Sequence, residues 1–564
     1  QKPWYHRASC HEMADENARM VVMKKQGNRD SLTKTLQREQ GYRQQGWWTG
    51  ELLQDRYASI VTKRGGDLAV ADNRGQRLTH SELWSTSGAL ADTLRQRGLR
   101  EGEVIILFLP NWVEWQVALL AILRMGGIPA NLPTRIDADN LCYVVELTGA
   151  RGIITTERHG SAATGETAHS ATQLCRHRID MLLVGENSQS WMESSDKPLP
   201  SAPSVAKLDH LMFTSSTTGR PKAVMHSADT LAALNLTFTE RFSLGPHDPI
   251  FMASPLGHSV GTIHGARLSL YNGAPLVLQD VWNPQEALTM IAEYGCVFTA
   301  AATPFLKDLV EANWKSDQPK LASLRWFLCG GAQVPPVLMQ RAKAQFPNTF
   351  VTVLWGMTEG GLTTALGGTP IEKTLTTAGV GLPGLEMKIL DSENQLLPTG
   401  EQGELVVRGP GVFIGYYGQE ELYESLLTEA GFFRTGDLAI LSEDGYLRIT
   451  GRLKDLIIRG GVNIAPVPIE DALASHPHVS GVAVVGYPDE RMGERLCAVI
   501  IPKGEAPTLE SLSDFLQAKG LPKYHCPELL RIVDEFPTTP AGKIRKAVLR
   551  DQIVKASEAE NGAA

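Results

Sequence analysis

The sequence lacks any apolar run long enough to cross a membrane. Its apolar stretches at 104–109 and 117–123 are separated by polar residues that include Asn111, Glu114 and Gln116. This pattern favours a buried strand followed by a packed helix over a membrane span. The first thirty residues also lack an apolar signal-peptide core, so we expect no signal peptide.

Paired cysteine motifs and excess positive charge are missing too. The seven cysteines are scattered, and none belongs to a Cys-x-x-Cys pair. We therefore expect reduced thiols in a cytoplasmic protein and no zinc site. A net charge of −8 gives no general attraction to nucleic acid or to an anionic membrane, so any cationic site must be local.

The length and the order of apolar patterns predict a multidomain α/β protein. A chain of 564 residues is too long for one hydrophobic core. Apolar strands alternate with helical patterns from about residue 60, as at 275–278 followed by 284–294, which predicts parallel sheets covered by helices. After about residue 380, short strands separated by turns predict a small antiparallel barrel or sheet. A compact α/β segment begins at Leu453. We predict an N-terminal extension with partial disorder at 1–44, a large domain at 45–452, a small domain at 453–555 and a frayed tail at 556–564.

One segment rich in hydroxyl groups is the strongest functional signal. It follows the apolar residues Leu211, Met212 and Phe213 and offers closely spaced backbone N–H and side-chain O–H groups. Such a loop can wrap the phosphates of a nucleotide, although its spacing is not that of the common P-loop. A polar surface turn is the alternative interpretation of the same residues. The segment consists of Thr214, Ser215, Ser216, Thr217, Thr218, Gly219, Arg220, Pro221, Lys222 and Ala223.

Further motifs follow downstream, and each taken alone has an ordinary structural explanation. A carboxylate that follows a glycine is often a turn cap, and a single lysine is usually a solvated surface charge. Their joint occurrence in this order is much harder to obtain by accident. The motifs are Trp355-Gly356-Met357-Thr358-Glu359 after an apolar strand at 350–354, Thr435-Gly436-Asp437 at the start of a strand, Gly451-Arg452-Leu453-Lys454-Asp455, Arg459-Gly460-Gly461 and Pro540-Ala541-Gly542-Lys543.

Residues 45–552 resemble the adenylate-forming superfamily of acyl- and aryl-CoA synthetases, peptide-synthetase adenylation domains and beetle luciferases. The hydroxyl-rich loop matches that family's phosphate loop, with Ser216 where glycine is usual. The family's Tyr-Gly-x-Thr-Glu motif appears with Trp355 in place of tyrosine. The Thr-Gly-Asp, Gly-Arg-x-Lys-Asp and Gly-Lys motifs match without change.

The resemblance implies a fold and two half-reactions. The fold is a large N-terminal domain of two α/β subdomains plus a small β-barrel, with a small mobile α+β C-terminal domain. A carboxylate first attacks the α-phosphorus of MgATP to give acyl-AMP and pyrophosphate. A thiol, normally that of coenzyme A, then attacks the acyl-AMP.

The resemblance also implies roles for individual residues. Lys543 would supply positive charge at the carboxylate and α-phosphate, Thr358 would donate to the α-phosphate, and Glu359 would be a ligand of Mg²⁺. Asp437 and Arg452 would hold the ribose, and Trp355 would cover the adenine. The remaining nucleotide contacts would come from Thr214, Ser215, Ser216, Thr217, Thr218, Gly219, Lys222, Gly330, Gly331, Ala332, Gly356 and Met357.

A hinge is implied at Lys454. In this family the C-terminal domain rotates between the half-reactions about this position. Adenylation brings Lys543 to the site, and thioester formation replaces it with Gly460 and Gly461. These glycines would then line a narrow channel for the pantetheine arm, although a simple turn explains them as well.

The resemblance implies an acyl pocket along Ser254–Gly261, with His258 beside the substrate carboxylate, and Gly257 and Gly261 are expected to leave room. In peptide-synthetase adenylation domains, an aspartate in this segment binds the ammonium group of the amino-acid substrate. The segment of this chain has no aspartate, which argues against an α-amino acid as the substrate. The segment is similar to short- and medium-chain fatty acyl-CoA and cyclohexanecarboxylate-CoA ligases, so we expect an aliphatic or alicyclic acid and no nucleic-acid partner.

Two other functions stay open. Aryl acid–AMP ligases that load an acyl-carrier protein typically show His-Asn where this chain has His258-Ser259, and alanine at Thr358, so coenzyme A is the favoured acceptor. The chain could also be a non-catalytic nucleotide-binding homologue. The intact Lys543, Glu359 and Asp437 argue against this interpretation, whereas Ser216 favours it. We expect a monomer or a homodimer.

Overall fold

A computed structural model describes residues 38–177, 179–184, 208–214, 220–314, 319–330, 334–538 and 544–562. The N-terminal part of the chain, up to residue 381, contributes most of the strands of two large sheets. These strands are β1 Leu68–Asp72, β2 Arg77–Thr79, β3 Val104–Phe108, β4 Ile128–Asn131, β5 Gly152–Thr156, β6 Asp180–Val184, β7 His210–Thr214, β8 Lys222–His226, β9 Ile250–Met252, β10 Leu276–Leu278, β11 Phe298–Ala302, β12 Trp326–Gly330, β13 Phe350–Met357, β14 Gly360–Thr364 and β15 Val380–Gly381.

Helices follow most of these strands. They are α1 Leu53–Arg64, α2 His80–Gln96, α3 Val113–Arg124, α4 Ala138–Thr148, α5 Thr164–Leu174, α6 Ala228–Phe242, α7 Ser259–Gly261, α8 Leu268–Asn272, α9 Pro284–Glu293, α10 Thr303–Glu311, α11 Pro336–Gln345 and α12 Ile371–Thr376. A π-helical turn, Thr262–Arg267, joins α7 to α8.

The two large sheets are mostly parallel, as the alternation of apolar patterns predicts. One has nine strands in the order β15-β14-β13-β12-β11-β9-β10-β1-β2, and its central pairs are parallel. The other has seven strands. Side chains of β3, α3 and α6 pack together with the first sheet in one continuous apolar cluster. The carboxyl ends of parallel strands are where ligands bind in such folds.

The C-terminal part contains an antiparallel sheet and a small α/β unit. Its strands are β16 Glu386–Leu390, β17 Gln402–Arg408, β18 Gly415–Tyr416, β19 Phe433–Leu441, β20 Leu447–Arg452, β21 Ile457–Arg459, β22 Val462–Ile464, β23 Val479–Asp489, β24 Gly493–Pro502 and β25 Leu529–Ile532. Its helices are α13 Glu420–Ser425, α14 Pro466–Ala474, α15 Leu509–Ala518 and α16 Lys546–Gly562.

Strands β16, β17, β19 and β20 form the antiparallel sheet that the sequence predicts after residue 380. Strand β18 lies elsewhere: it pairs with β8 and completes the edge of the seven-stranded sheet, whose order is β18-β8-β7-β4-β3-β5-β6. The antiparallel sheet ends at Arg452, and the last sheet begins at Ile457 after a 3₁₀ turn, Leu453–Asp455. The domain boundary at 452–453 stays a prediction.

Two described segments lie within the terminal regions that the sequence predicts as an extension and a tail. Residues 38–44, inside the expected extension, are helical, and Arg38 donates to the carbonyl of Gly431 at 2.8 Å while Arg43 pairs with Asp229 at 3.0 Å. These long-range contacts fix that segment to the rest of the molecule. Helix α16 continues past Ala556, where the sequence predicts a frayed tail.

Candidate active site

The hydroxyl-rich loop connects two antiparallel strands. Thr214 ends β7 and lies opposite Lys222, the first residue of β8. Lys222 points its ammonium at the ring of Tyr416, 5.0 Å from the ring centroid. Thr214 and Lys222 therefore stand side by side at the base of the loop. The loop residues Ser215, Ser216, Thr217, Thr218 and Gly219 lie outside the described residues.

Thr358 and Glu359 form the two-residue turn between β13 and β14, since Met357 pairs with Gly360. Strand β13 runs through Trp355, Gly356 and Met357, so the first half of this motif lies on the strand and not after it. The correction follows from the hairpin, because pairing with β14 extends the strand beyond its apolar run. A Cβ at Gly360, whose φ is +91°, would lie 2.3 Å from the carbonyl oxygen of Gly411. The tight approach of the 411 segment therefore requires glycine.

The Glu359 carboxylate is held by Tyr416. The Tyr416 hydroxyl donates to Glu359 Oε1 at 2.7 Å. The backbone N–H of Phe413 also donates to the Glu359 carbonyl oxygen, at 2.8 Å. Burial, and then the Glu359 charge, raise the pKa of Tyr416, so its phenol keeps the proton that it donates. Lys222, Tyr416 and Glu359 thus form one chain of contacts across β8, β18 and the β13–β14 turn.

Trp355, Asp437 and Arg452 form a second chain. Trp355 Nε1 donates to Asp437 Oδ2 at 2.9 Å, and Arg452 Nε lies 2.8 Å from Asp437 Oδ1. Asp437 and Arg452 face each other across β19 and β20. The Asp437 carboxylate is buried, whereas the Arg452 side chain is 47% exposed. Strand β19 starts at Phe433, so Asp437 lies within the strand and not at its start.

This contact gives the tryptophan at 355 a structural role. The indole N–H that replaces a tyrosine hydroxyl is paired with the buried carboxylate of Asp437. A buried carboxylate needs such partners because its desolvation is costly. Trp355 therefore links the nine-stranded sheet to the antiparallel sheet at this point.

Thr358 is fixed from two sides by residues of other elements. Its hydroxyl donates to Ser259 Oγ at 3.2 Å, and its carbonyl oxygen accepts from His226 Nε2 at 2.8 Å. Nε2 of His226 must carry the proton, because a carbonyl can only accept. Complete burial lowers the pKa of His226 to about 4, so the imidazole is neutral at pH 7.

His226 was not among the sequence-predicted site residues, whereas Ser259 lies in the segment that is expected to line the acyl pocket. The contact of each with Thr358 joins segments far apart in the chain, so no local pattern marks it. A buried polar ladder continues beneath them: His210 Nε2 contacts Asn131 Oδ1 at 2.7 Å, and Asn131 Nδ2 donates to Thr262 Oγ1 at 3.0 Å. This ladder ties β4 and β7 to the π-helical turn under the expected acyl pocket.

His258 caps the short helix α7, where its Nδ1 accepts from the Val260 N–H at 3.4 Å. The two glycines around it serve the backbone and not an open pocket. A Cβ at Gly257 would lie 2.3 Å from the carbonyl oxygen of Leu132, and one at Gly261 would lie 2.4 Å from that of Pro255. The expectation that they leave room for the acid is therefore wrong at these two positions.

The remaining predicted residues are only partly brought to the site. Gly330 ends β12, while Gly331, Ala332 and Lys543 lie outside the described residues. Partial loss of hydration, and then the charge of Arg452, lower the pKa of Lys454, while the charges of Asp455 and Asp437 raise it. Gly460 and Gly461, at φ of +57° and +83°, form an exposed turn in which Gly460 packs on Met492 of the same C-terminal unit.

The fold and these motifs define the class of protein. Residues 58–417 match the model of the AMP-binding enzyme family, and residues 468–543 match that of the AMP-binding enzyme C-terminal domain. The chain belongs to this family of adenylate-forming, ATP-binding ligases, and the resemblance drawn from its motifs is confirmed. Among the described residues, no helix is long and apolar enough to cross a bilayer.

Individual relatives extend over nearly the whole chain. The medium-chain fatty-acid–CoA ligase of Escherichia coli (strain K12) is 31% identical, over 95% of this chain and 96% of its own length. The 2,3-dihydroxybenzoate-AMP ligase of Bacillus subtilis (strain 168) is 29% identical, over 91% and 95%. The solved structure of ATP-bound MatB from Rhodopseudomonas palustris has a TM-score of 0.79 at 26% identity and covers 88% of this chain and 98% of its own. The α/β fold with a large N-terminal and a smaller C-terminal domain is thereby confirmed.

Proposed function

We propose that this protein activates a carboxylic acid with ATP, forming an acyl-AMP and pyrophosphate, and then transfers the acyl group to the thiol of coenzyme A. The observation that carries the proposal is the chain of contacts from Lys222 through Tyr416 to Glu359. It sets a cation and a carboxylate at the base of the hydroxyl-rich loop. This is the charge pattern that a polyphosphate and its metal ion need.

The nucleotide would bind between the two chains of contacts. Thr214 and Lys222, with the loop residues Ser215 to Gly219, would hold the β- and γ-phosphates, and Thr358 would donate to the α-phosphate. Asp437 would accept the ribose hydroxyls, and Arg452 would donate to the same sugar. The segment Gly330 to Ala332, with Trp355, Gly356 and Met357, would surround the adenine.

Glu359 fits the role of a Mg²⁺ ligand, because hard oxygen donors suit this ion and Tyr416 already orients one of the two carboxylate oxygens. The ion, when bound, would neutralise negative charge on the phosphate oxygens. Lys543 would supply the second positive charge, at the point where two anionic reactants meet. Positioning and fixed charge are the main sources of catalysis for such a step.

The substrate acid would be aliphatic or alicyclic. The segment around His258 carries no aspartate for an amino-acid ammonium. Two similar proteins are named for medium-chain acids, the ligase of Escherichia coli and the mitochondrial medium-chain acyl-CoA ligase of Bos taurus, which is 28% identical. His258 would stand beside the substrate carboxylate.

A carrier protein is the second candidate for the acyl acceptor, and one of the similar proteins supports it. A salicyl-AMP ligase / salicyl-S-ArCP synthetase of Mycobacterium tuberculosis is 31% identical over 92% of this chain. Against it, this chain carries Ser259 and Thr358 where the motifs of such ligases typically differ, and these two hydroxyls are hydrogen-bonded to each other. Coenzyme A is therefore the acceptor that we propose.

Acid-dependent exchange of labelled pyrophosphate into ATP tests the first half-reaction. We expect exchange with at least one member of a panel of aliphatic, alicyclic and aromatic acids, and a fall of about 100-fold or more in Lys543→Ala, as expected for loss of a charge that stabilises the transition state. Lys503→Ala, which removes an exposed lysine elsewhere in the C-terminal unit, is the matched control and should exchange normally. Exchange with no acid would instead support a non-catalytic homologue.

The acceptor is tested with the acid that gives the strongest exchange. Coenzyme A and a phosphopantetheinylated carrier protein are supplied in separate reactions, and the thioester product is measured by mass spectrometry. Thioester formed with coenzyme A supports the proposal, whereas thioester formed only on the carrier protein overturns its second half.

A further inference from the structure

Two cysteines that are 33 residues apart in sequence touch in the fold. The sulfur of Cys175, at the end of α5, lies 3.2 Å from the sulfur of Cys142 on α4 and donates its S–H to it. The sequence shows no motif that pairs them, because the contact is produced by the packing of α4 against α5. A covalent S–S bond of about 2.05 Å would need the two sulfurs to approach by little more than one ångström.

Within the described part of the chain, these two thiols are also the accessible ones. Among the cysteines of the described residues, Cys142 and Cys175 are half-buried, whereas the other four are buried and separate: Cys296, Cys329, Cys497 and Cys526. Both touching thiols lie at the rim of the apolar cluster under β3 and β5 and not inside it. A small reagent can therefore reach this pair, while the buried thiols are shielded.

We propose that Cys142 and Cys175 form a redox-active dithiol, a modification site that closes to a disulfide in the presence of a hydroperoxide. The Cys142 thiolate attacks one peroxide oxygen, the O–O bond breaks, and the products are a Cys142 sulfenic acid and an alcohol or water. The Cys175 sulfur then displaces the hydroxyl group, which leaves as water with the Cys175 proton. In total two thiols lose two electrons and two protons, and the peroxide is reduced.

The order of the two sulfurs follows from their surroundings. Burial and the contact with Cys142 raise the pKa of Cys175 to about 12, so it remains a thiol at neutral pH. Because the Cys175 S–H donates to the Cys142 sulfur, we assign Cys142 as the sulfur that reacts first and Cys175 as the resolving thiol. A resolving thiol in place captures the sulfenic acid before further oxidation.

The bond would fix α4 beside the exit of the hydroxyl-rich loop. Arg220, the first described residue after Gly219 of that loop, lies over the ring of Tyr143 at 5.0 Å and donates to the carbonyl of Asp139 at 3.3 Å. Both residues lie on α4, and Tyr143 is the neighbour of Cys142. Oxidation of the pair therefore ties α5 to the helix on which Arg220 rests.

The test uses the full-length protein, fully reduced and then treated with hydrogen peroxide. We expect a mass loss of about 2 Da, the two hydrogens of a new disulfide, reversal by dithiothreitol, and a non-reduced peptide map that links the peptides of Cys142 and Cys175. Because the bond constrains the unfolded chain, the oxidised protein should also unfold at a higher temperature than the reduced one.

The variants separate this pair from other thiols. Cys142→Ser and Cys175→Ser should each abolish both the mass loss and the thermal shift, whereas Cys10→Ser should keep them. The inference is overturned if the wild-type peptide map shows no 142–175 linkage, if Cys142 proceeds to the sulfonic acid with Cys175 unchanged, or if the disulfide joins a different cysteine. The wild-type map decides even if a serine variant does not fold.

Discussion

Tyr416 shows how a single residue joins two parts of the candidate site. Its ring lies under the Lys222 ammonium, and its hydroxyl orients the Glu359 carboxylate. The residue does not belong to any of the motifs that point to the function. Its position comes from the pairing of β18 with β8, in which Tyr416 lies opposite Val224.

Tyr416→Phe should weaken the response to Mg²⁺ more than the maximal rate. The change removes one hydrogen bond to a carboxylate, worth about 1.5 kcal/mol or more, so we expect the Mg²⁺ concentration for half-maximal pyrophosphate exchange to rise about tenfold. The measurement is a Mg²⁺ titration of the exchange rate at saturating ATP.

Tyr423→Phe is the matched control for this change. The Tyr423 ring packs on Phe413, as that of Tyr416 does, with centroids 5.1 Å apart. Tyr423→Phe should leave the Mg²⁺ titration unchanged. Equal effects of the two variants would show that the hydroxyl of Tyr416 acts through packing and not through Glu359.

His264 gives the fold an acid-sensitive position. It stacks on Phe238 with centroids 4.2 Å apart, and its complete burial lowers its pKa to about 3. The unfolded chain takes up a proton at this histidine below about pH 6.5, whereas the native protein does so only near its lowered pKa. Stability from this residue is therefore complete above pH 6.5 and is lost as the pH falls.

His264→Phe should remove this part of the pH dependence while keeping the stack. Between about pH 6 and pH 4 we expect the variant to gain about 1.4 kcal/mol per pH unit relative to the wild type. Urea unfolding at several pH values measures this difference, with the exposed His169→Gln as control. A difference that does not change with pH would contradict the assignment of a neutral buried His264.

At this scale the sequence predicts residue types better than their contacts. Trp355 and Asp437 are both recognisable from their motifs, but their hydrogen bond joins strands of two different sheets. The same applies to His226 and Thr358, which are 132 residues apart. Such pairs depend on how the sheets pack, and local patterns do not encode that packing.

The turn into β15 depends on a close approach between backbones. Gly379 has a φ of +82°, and a Cβ there would lie 2.0 Å from the carbonyl carbon of Thr364 at the end of β14. Gly368 has nearly the same φ, +83°, but a Cβ there would meet nothing within 4 Å. An alanine at Gly368 would therefore show the cost of the left-handed backbone alone, whereas an alanine at Gly379 would add steric overlap with the backbone of Thr364.

Gly379→Ala should destabilise the large domain far more than Gly368→Ala. For Gly368→Ala we expect a loss of about 1 kcal/mol from the left-handed backbone alone. For Gly379→Ala, where backbone must also move, we expect a loss of more than about 3 kcal/mol. Chemical unfolding of both variants gives the comparison, and similar losses would mean that β14 and β15 separate at little cost.

The elements themselves are largely readable from the sequence. The buried strand β3 and helix α3 contain nearly all of the apolar stretches at 104–109 and 117–123, because a continuous apolar run and a helical pattern mark them. Strands β13 and β19 extend past the predicted limits, to Met357 and back to Phe433. In both cases pairing with a neighbouring strand, and not the apolar pattern, sets the end.

The whole molecule has a single short connection between its antiparallel sheet and its C-terminal unit. The 3₁₀ turn Leu453–Asp455 forms this connection, and Lys454 is its central residue. The family resemblance predicts that the C-terminal domain rotates here between half-reactions.

Lys454→Pro should separate the two half-reactions. Proline fixes the backbone angle φ, so a rotation centred on this residue would be blocked. We expect pyrophosphate exchange to remain within about threefold of the wild type while acyl-CoA formation falls by about 100-fold. Lys454→Ala leaves the backbone angle free, so this control variant should retain both reactions. Equal losses of pyrophosphate exchange and acyl-CoA formation in Lys454→Pro would argue against a hinge at this position.

The pairing of β18 with β8 has a consequence for biosynthesis. Strand β8 ends at His226, but the partner that covers its open edge begins only at Gly415. The ribosome must therefore add almost two hundred further residues before β18 can pair with the open edge of β8. During this interval the unpaired N–H and C=O groups of that edge can pair with strands of other nascent chains.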